Sequence, residues 1–358
     1  MDVPADVPPP LPDPGPDVAA PPPPPPPPPL QVRFLGVGGF SLRRGTDHVL
    51  TAPLYSHPDL LAVTLGAIEP NTARIDALLE TAFVSDARAI LVGHGHYDHL
   101  MDVPYTWTKT AGAVILGNTT VKNLLAGATG GDHVVALDDP NDPRVDQRMC
   151  PMDSQCTGIP SGHPGDWVAV PGAKVRVRAL CSTHPAQFLG IVHFGEGCVT
   201  APALAPPAKA SEWLEGATFA YLIDFLGSDG APAFRVYYQD APTTAPYGHV
   251  HADLLVEKRV DVAILNVGNF DTVADQPGEI VANLHPRYVI AAHWESFFTS
   301  PELPPTPIPF LPDPSVFDAK AAKVLPDEGD EPFLVDGETH ASRYYRPVPG
   351  TDLVYAPE

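Results

Sequence analysis

The sequence predicts a layered α/β domain. Three observations predict it: a glycine-punctuated meander where the folded part begins, short apolar runs alternating with helix-period stretches, and a hydrophobic content of 44% over 358 residues, normal for a packed globule. Connections between the runs are short, as strand–helix–strand units require.

Residues 1–30 are of another kind, rich in proline, dotted with Asp2, Asp6, Asp13 and Asp17, and closing on the uninterrupted Pro21–Pro29. Such a tract cannot bury a core and reads as an extended polyproline spacer. A ligand for a proline-binding module is the competing reading, but the basic flanks it would need are missing. The remainder, 31–358, reads as one catalytic domain. Val32–Val37, Phe40–Arg44 and Val49–Ala52, separated by Gly38-Gly39 and Gly45-Thr46-Asp47, form the meander. Asn71 or Thr72 caps a helix to about Thr81, in which Ile75, Leu78 and Leu79 keep helical spacing. Ala89-Ile90-Leu91-Val92 is a buried strand ending at Gly93, followed by a helix around Asp102–Thr110, a strand Val114–Leu116, a helix Thr119–Leu125 and a strand Val134–Leu137. Asp138–Asp166, full of Pro, Gly and Asp, reads as a long surface insertion near the functional site. Later strands are Lys174–Leu180, Phe234–Asp240, Val260–Val267 and Tyr288–Ala292, with helices Glu279–Leu284 and Phe317–Val324.

The most informative stretch is Gly93-His94-Gly95-His96-Tyr97-Asp98-His99, three imidazoles and a carboxylate directly after a strand. In extended backbone His94, His96 and Asp98 share a face while Tyr97 points away, and His99 falls near the start of the next helix. Clustered histidines have no packing role and would repel if protonated, whereas imidazole nitrogen and carboxylate oxygen suit zinc and related divalent ions. One segment with four such groups can serve two adjacent ions.

This His-x-His-x-Asp-His segment resembles the signature of the metallo-β-lactamase superfamily, nearest its phospholipase D-like and lactonase-like branches. The resemblance covers roughly 31–340 and implies an αββα sandwich of two mixed sheets flanked by helices, with three further ligands at strand ends. His184, in Cys181-Ser182-Thr183-His184-Pro185-Ala186-Gln187, matches the third histidine; His193, inside Ile191-Val192-His193-Phe194, competes but resembles a strand residue. Asp240 matches the carboxylate that bridges the metals, and His293, before Trp294, matches the last ligand. The implied site is His94, His96 and His184 on one metal, Asp98, His99 and His293 on the other, and Asp240 between. Two departures stand out: Ala52 where many relatives carry Asp, and Glu295 where they usually carry a small Gly. The other histidines have no position in the pattern.

The implied activity is hydrolysis by a metal-bridging hydroxide, with Asp98 and Asp240 as the catalytic carboxylates and two divalent cations, zinc first and manganese or iron next, as cofactors. No G-x-S-x-G elbow offers a serine alternative. Asp240 favours phosphoesters, phosphodiester or phosphotriester, over lactones, other carboxylic esters and β-lactams; a non-catalytic binding protein of this fold ranks last because all seven ligand positions are filled. The expected substrate is a small-molecule or lipid-like ester. A net charge of −22 and the lack of a basic patch argue against nucleic acid as partner. No apolar run approaches the roughly 18 residues of a bilayer-spanning helix. Four cysteines, Cys150, Cys156, Cys181 and Cys198, include no C-x-x-C pair; Cys150 and Cys156 could close a small loop. Disulfides and the acidic spacer together suit an exported protein, periplasmic, extracellular or lipoprotein-tethered.

Overall fold

Paired glycines fold the first strands back on one another. In the computed structural model, which describes residues 26–79, 84–130, 132–139, 167–186, 195–325 and 332–357, β1 (Leu30–Gly36), β2 (Gly39–Arg44) and β3 (Asp47–Thr51) form the antiparallel meander. After α1 (Leu60–Leu65) and α2 (Thr72–Leu78) the sheet continues in parallel through β4 (Ala89–Leu91). Next come α3 (Tyr97–Leu100), α4 (Val103–Thr108), β5 (Val114–Gly117), α5 (Thr119–Thr129) and β6 (Val134–Ala136). The α5 helix runs a turn beyond its expected end because Gly130 supplies the left-handed C-cap, φ 76°.

The second half builds β7 (Val168–Ala169), β8 (Val175–Ser182), β9 (Thr218–Leu226), β10 (Pro232–Gln239), α6 (Ala252–Glu257), β11 (Val262–Asn266), α7 (Gly278–Leu284), β12 (Tyr288–Ala292) and α8 (Pro314–Val324). Short strands β13 (Phe333–Val335), β14 (Glu338–His340), β15 (Tyr344–Tyr345) and β16 (Asp352–Tyr355) close the chain. Two mixed sheets result, one of nine strands in the order β14-β13-β16-β1-β2-β3-β4-β5-β6 and one of seven in the order β15-β12-β11-β10-β9-β8-β7.

Alternate residues of facing strands, among them Phe34, Phe40, Leu42, Tyr221, Phe225, Phe234 and Ile290, fill the space between the sheets. The outer face of the nine-stranded sheet packs through Leu50, Ile90 and Ile115 on Ile75, Val103, Val121 and Leu124 of its helices. The seven-stranded sheet packs through Ala263, Leu265 and Val289 on Ile280, Leu284 and Phe317. The layers are therefore α, β, β, α, as expected from the sequence. No helix among the described residues is long and apolar enough to cross a membrane. Residues 140–166, nearly all of the expected insertion, and His193 lie outside the described residues.

Candidate metal centre

Each expected ligand stands where a strand ends, on the same edge of both sheets. His94 and His96 follow β4, His184 follows β8, Asp240 follows β10 at once, and His293 follows β12 at once. Asp98 differs from the extended reading, while His99 falls in a helical turn as expected: the backbone turns helical at Tyr97, with His96 as N-cap, so both lie in the single turn of α3. That turn aims Asp98 and His99 at the second cluster while His94 and His96 serve the first.

All seven residues come together. Ligand atoms of His94, His96 and His184 lie within 4.8 Å of one another, as do those of His94, His99 and Asp240 and those of Asp98, His99 and His293. Asp240 joins the clusters: Oδ2 is 2.7 Å from His94 Nδ1 and Oδ1 is 2.9 Å from His99 Nδ1. It thus meets both rings on their Nδ1 edges, which fixes them and leaves Nε2 for another partner. Asp98 Oδ2 is 3.2 Å from His293 Nε2 and 3.6 Å from His99 Nε2.

Two glycines make this closeness possible. A Cβ on Gly93 would lie 2.2 Å from the Cβ of Asp240, and one on Gly38 would lie 2.7 Å from His99 Nδ1. A side chain at Gly93 would push Asp240 and its strand away from the site, and one at Gly38 would displace the rings of His99 and Tyr238. Tyr238 Oη, absent from the sequence reading, touches the carbonyl oxygen of Gly38 at 2.8 Å and Asp240 Oδ1 at 2.5 Å. A tyrosine two residues before a strand-end carboxylate on the same face of β10 was the signal that could have found it.

The donor set fits divalent metal. His94 Nε2 is buried without a hydrogen-bond partner, a cost that coordination would remove. Burial pushes His94 and His184 down to about 4 and His96 well below its usual range, so these rings are neutral ligands near pH 7. Burial would also depress His99, but the carboxylates of Asp240 and Asp98 raise it to about 9. Although burial opposes ionisation of Asp98 and Asp240, His99 beside both, with His293 at Asp98 and His94 at Asp240, holds each below the usual carboxylate range. Without metal the site sets the neutral rings of His94, His96 and His184, and a His99 ring whose proton is held by its neighbouring carboxylates, around the ionised Asp98 and Asp240.

Two mixed sheets flanked by helices, with the ligands at strand ends along one edge, decide the architecture. The fold is the αββα sandwich of two mixed sheets that the resemblance implied. No protein-family model and no curated protein matches the chain. Among solved structures it is similar to an isothiocyanate hydrolase from Delia radicum gut bacteria, at 11% identity and TM-score 0.49 over 90% of this chain and 98% of that one. A metallo hydrolase from Ignicoccus hospitalis matches at 14% identity and TM-score 0.48 over 91% and 98%. A metallo-β-lactamase fold protein from Bacillus subtilis matches at 10% identity and TM-score 0.45 over 91% and 99%.

Around the site, Asp102 is fully buried and accepts hydrogen bonds from the backbone N–H of Tyr55 and Ser56 and from Ser56 Oγ, at 2.7, 2.8 and 2.5 Å, pinning the loop after β3. Burial raises its pKa from 3.8 to about 6 despite these bonds. Because the folded value lies above the unfolded one, the folded state favours the protonated acid: its penalty is absent below about pH 4 and complete above about pH 6. Two units correspond to about 3 kcal/mol. Between pH 4 and 7, urea unfolding should therefore show the Asp102→Asn variant gaining about 3 kcal/mol relative to the parent; parallel profiles would rule this out. Among the described residues no cysteine is free, and Cys181, three residues before His184, and Cys198 are both disulfide-bonded. Cys150 and Cys156, with the loop they were expected to close, lie outside the described residues.

Proposed function

We propose that the protein is a metal-dependent hydrolase of the metallo-β-lactamase superfamily that holds two divalent cations, zinc first, and cleaves phosphoesters. The observation that carries this reading is the pair of ligand clusters joined by Asp240, which meets one histidine of each. His94, His96 and His184 would hold one ion and Asp98, His99 and His293 the other. When bound, such a pair would supply a water acidified toward neutrality and an electrostatic clamp on the ester oxygens. The chain's own contribution is orientation. Asp98, ionised and with its Oδ2 beside His293, is a proton acceptor at a fixed place. Tyr238 and the two imidazoles hold Asp240 from three sides, so neither cluster can shift without the other. A carboxylate shared between two positive centres suits a tetrahedral anionic ester, whose non-bridging oxygens can face both ions at once.

The test is elemental analysis of the purified protein followed by a panel of phosphodiester, phosphotriester, lactone and β-lactam substrates. About two metal equivalents and cleavage of a phosphoester are expected. Cleavage of lactones or β-lactams alone would overturn the substrate class, and no stoichiometric metal even after reconstitution would overturn the metal reading.

A further inference from the structure

Glu295 stands where the resemblance leads one to expect glycine, and the structure gives its side chain a specific task. It is buried, at 1% exposure, next to the last ligand's neighbour Trp294. Its Oε1 accepts the backbone N–H of Val37 at 2.5 Å and its Oε2 that of Trp294 at 3.2 Å. The carbonyl oxygen of Val37 in turn accepts the backbone N–H of His293 at 3.0 Å. Val37 belongs to the turn between β1 and β2 in the nine-stranded sheet, whereas His293 and Glu295 follow β12 in the seven-stranded one. The carboxylate therefore fastens the two sheets together at the end of a metal-ligand strand.

Two backbone angles show why a fastening is needed. Val37 has φ 53° and His293 has φ 55°, both in the left-handed region that a β-branched residue avoids and few other L-residues adopt. Val37, being β-branched, would not hold that conformation unaided. The reciprocal bonds through Glu295 hold both, and the angle at His293 is what turns its ring from the line of β12 toward Asp98. The backbone of Glu295 is itself fixed, since it pairs with Pro307 across a β-bridge, Ser296 N–H donates to Thr306 O, and Ile308 N–H donates to Trp294 O. Its side chain is thus a rigid strut.

We infer that Glu295 is a positioning residue that sets the geometry of His293, and with it the affinity and coordination of the ion held by Asp98, His99 and His293. The inference rests on the dinuclear reading above. It acts on that ion alone, because the contacts of Glu295 reach His293 and its neighbours and none reaches His94, His96 or His184.

Cobalt(II) titration of the metal-free protein tests this, following each equivalent by its visible absorption and by competition with a chelator. In the parent, two equivalents should bind. Glu295→Ala should weaken one equivalent by about tenfold to a hundredfold, the range typical of residues that orient a ligand, and change that equivalent's spectrum, with the other intact. Glu295→Gln, which keeps the shape and one acceptor but turns an N–H toward the other donor, should fall between; it decides the matter if the alanine variant does not fold. Two equivalents with parental affinities and spectra in the variant that folds would overturn the inference. So would equal weakening of both equivalents, which a merely structural role would produce. A parent that binds no cobalt would instead overturn the dinuclear reading on which it rests.

Discussion

Replacing Asp240 by alanine is expected to remove both metal ions together, with each affinity falling at least about a hundredfold. The reason is its double engagement: one carboxyl oxygen meets His94, of the first cluster, and the other meets His99, of the second. Removing it leaves two buried imidazoles without the group that orients them and takes a compensating negative charge from a pocket designed for cations. His293→Ala is the control, since its near neighbours in the site are Asp98 and His99, and it should loosen one ion. Chelator competition on both variants decides it. A parental second equivalent in Asp240→Ala would mean that the clusters are independent.

The second large effect is on turnover. Asp98→Ala should lower kcat by about 10²- to 10⁴-fold, the range for loss of a positioned general base, even under saturating metal. Asp98 is partly open to solvent, at 13% side-chain exposure, whereas Asp240 is closed off, so Asp98 is the carboxylate that a reacting water can reach. A variant that regains parental turnover once metal is supplied in excess would show Asp98 to be a ligand only. Steady-state kinetics over a metal series separates the two roles.

The seven candidate ligand residues were legible because four features coincide in the sequence: a dense histidine motif directly after one strand, and three later strands that each run into a ligand type. Strand Tyr288–Ala292 was read to the residue. What escaped has physical causes. The β9 strand, Thr218–Leu226, pairs with β8 and β10 along both edges and is buried on both faces, so it shows no alternation, and Asp224 in its middle reads as a break. Only the fold reveals that Arg235 and Arg176, from the flanking strands, neutralise that aspartate at 2.7 and 2.8 Å. The turn Tyr97–Leu100 is too short for helical periodicity to register, so Asp98 was read as extended. The α1 helix, Leu60–Leu65, buries none of its residues and therefore carries no amphipathic signal. Glu295 was noticed only as an oddity, since its partner Val37 lies 258 residues away.

The placing of ligands on both sheets has a consequence for how the chain comes apart. His94 and Asp240 are separated by 146 residues, and Asp98 and His293 by 195, so an ion bound between them closes a loop spanning much of the polypeptide. Closing so long a loop removes chain entropy from the unfolded ensemble much as a covalent cross-link does, and the removal grows only logarithmically with its length. The two ions would therefore act as a clasp on one end of the sandwich, and the sheets could not part there without releasing metal. Chelation would free that end of the sandwich, so that local opening could begin there and loss of metal would be coupled to the first step of unfolding.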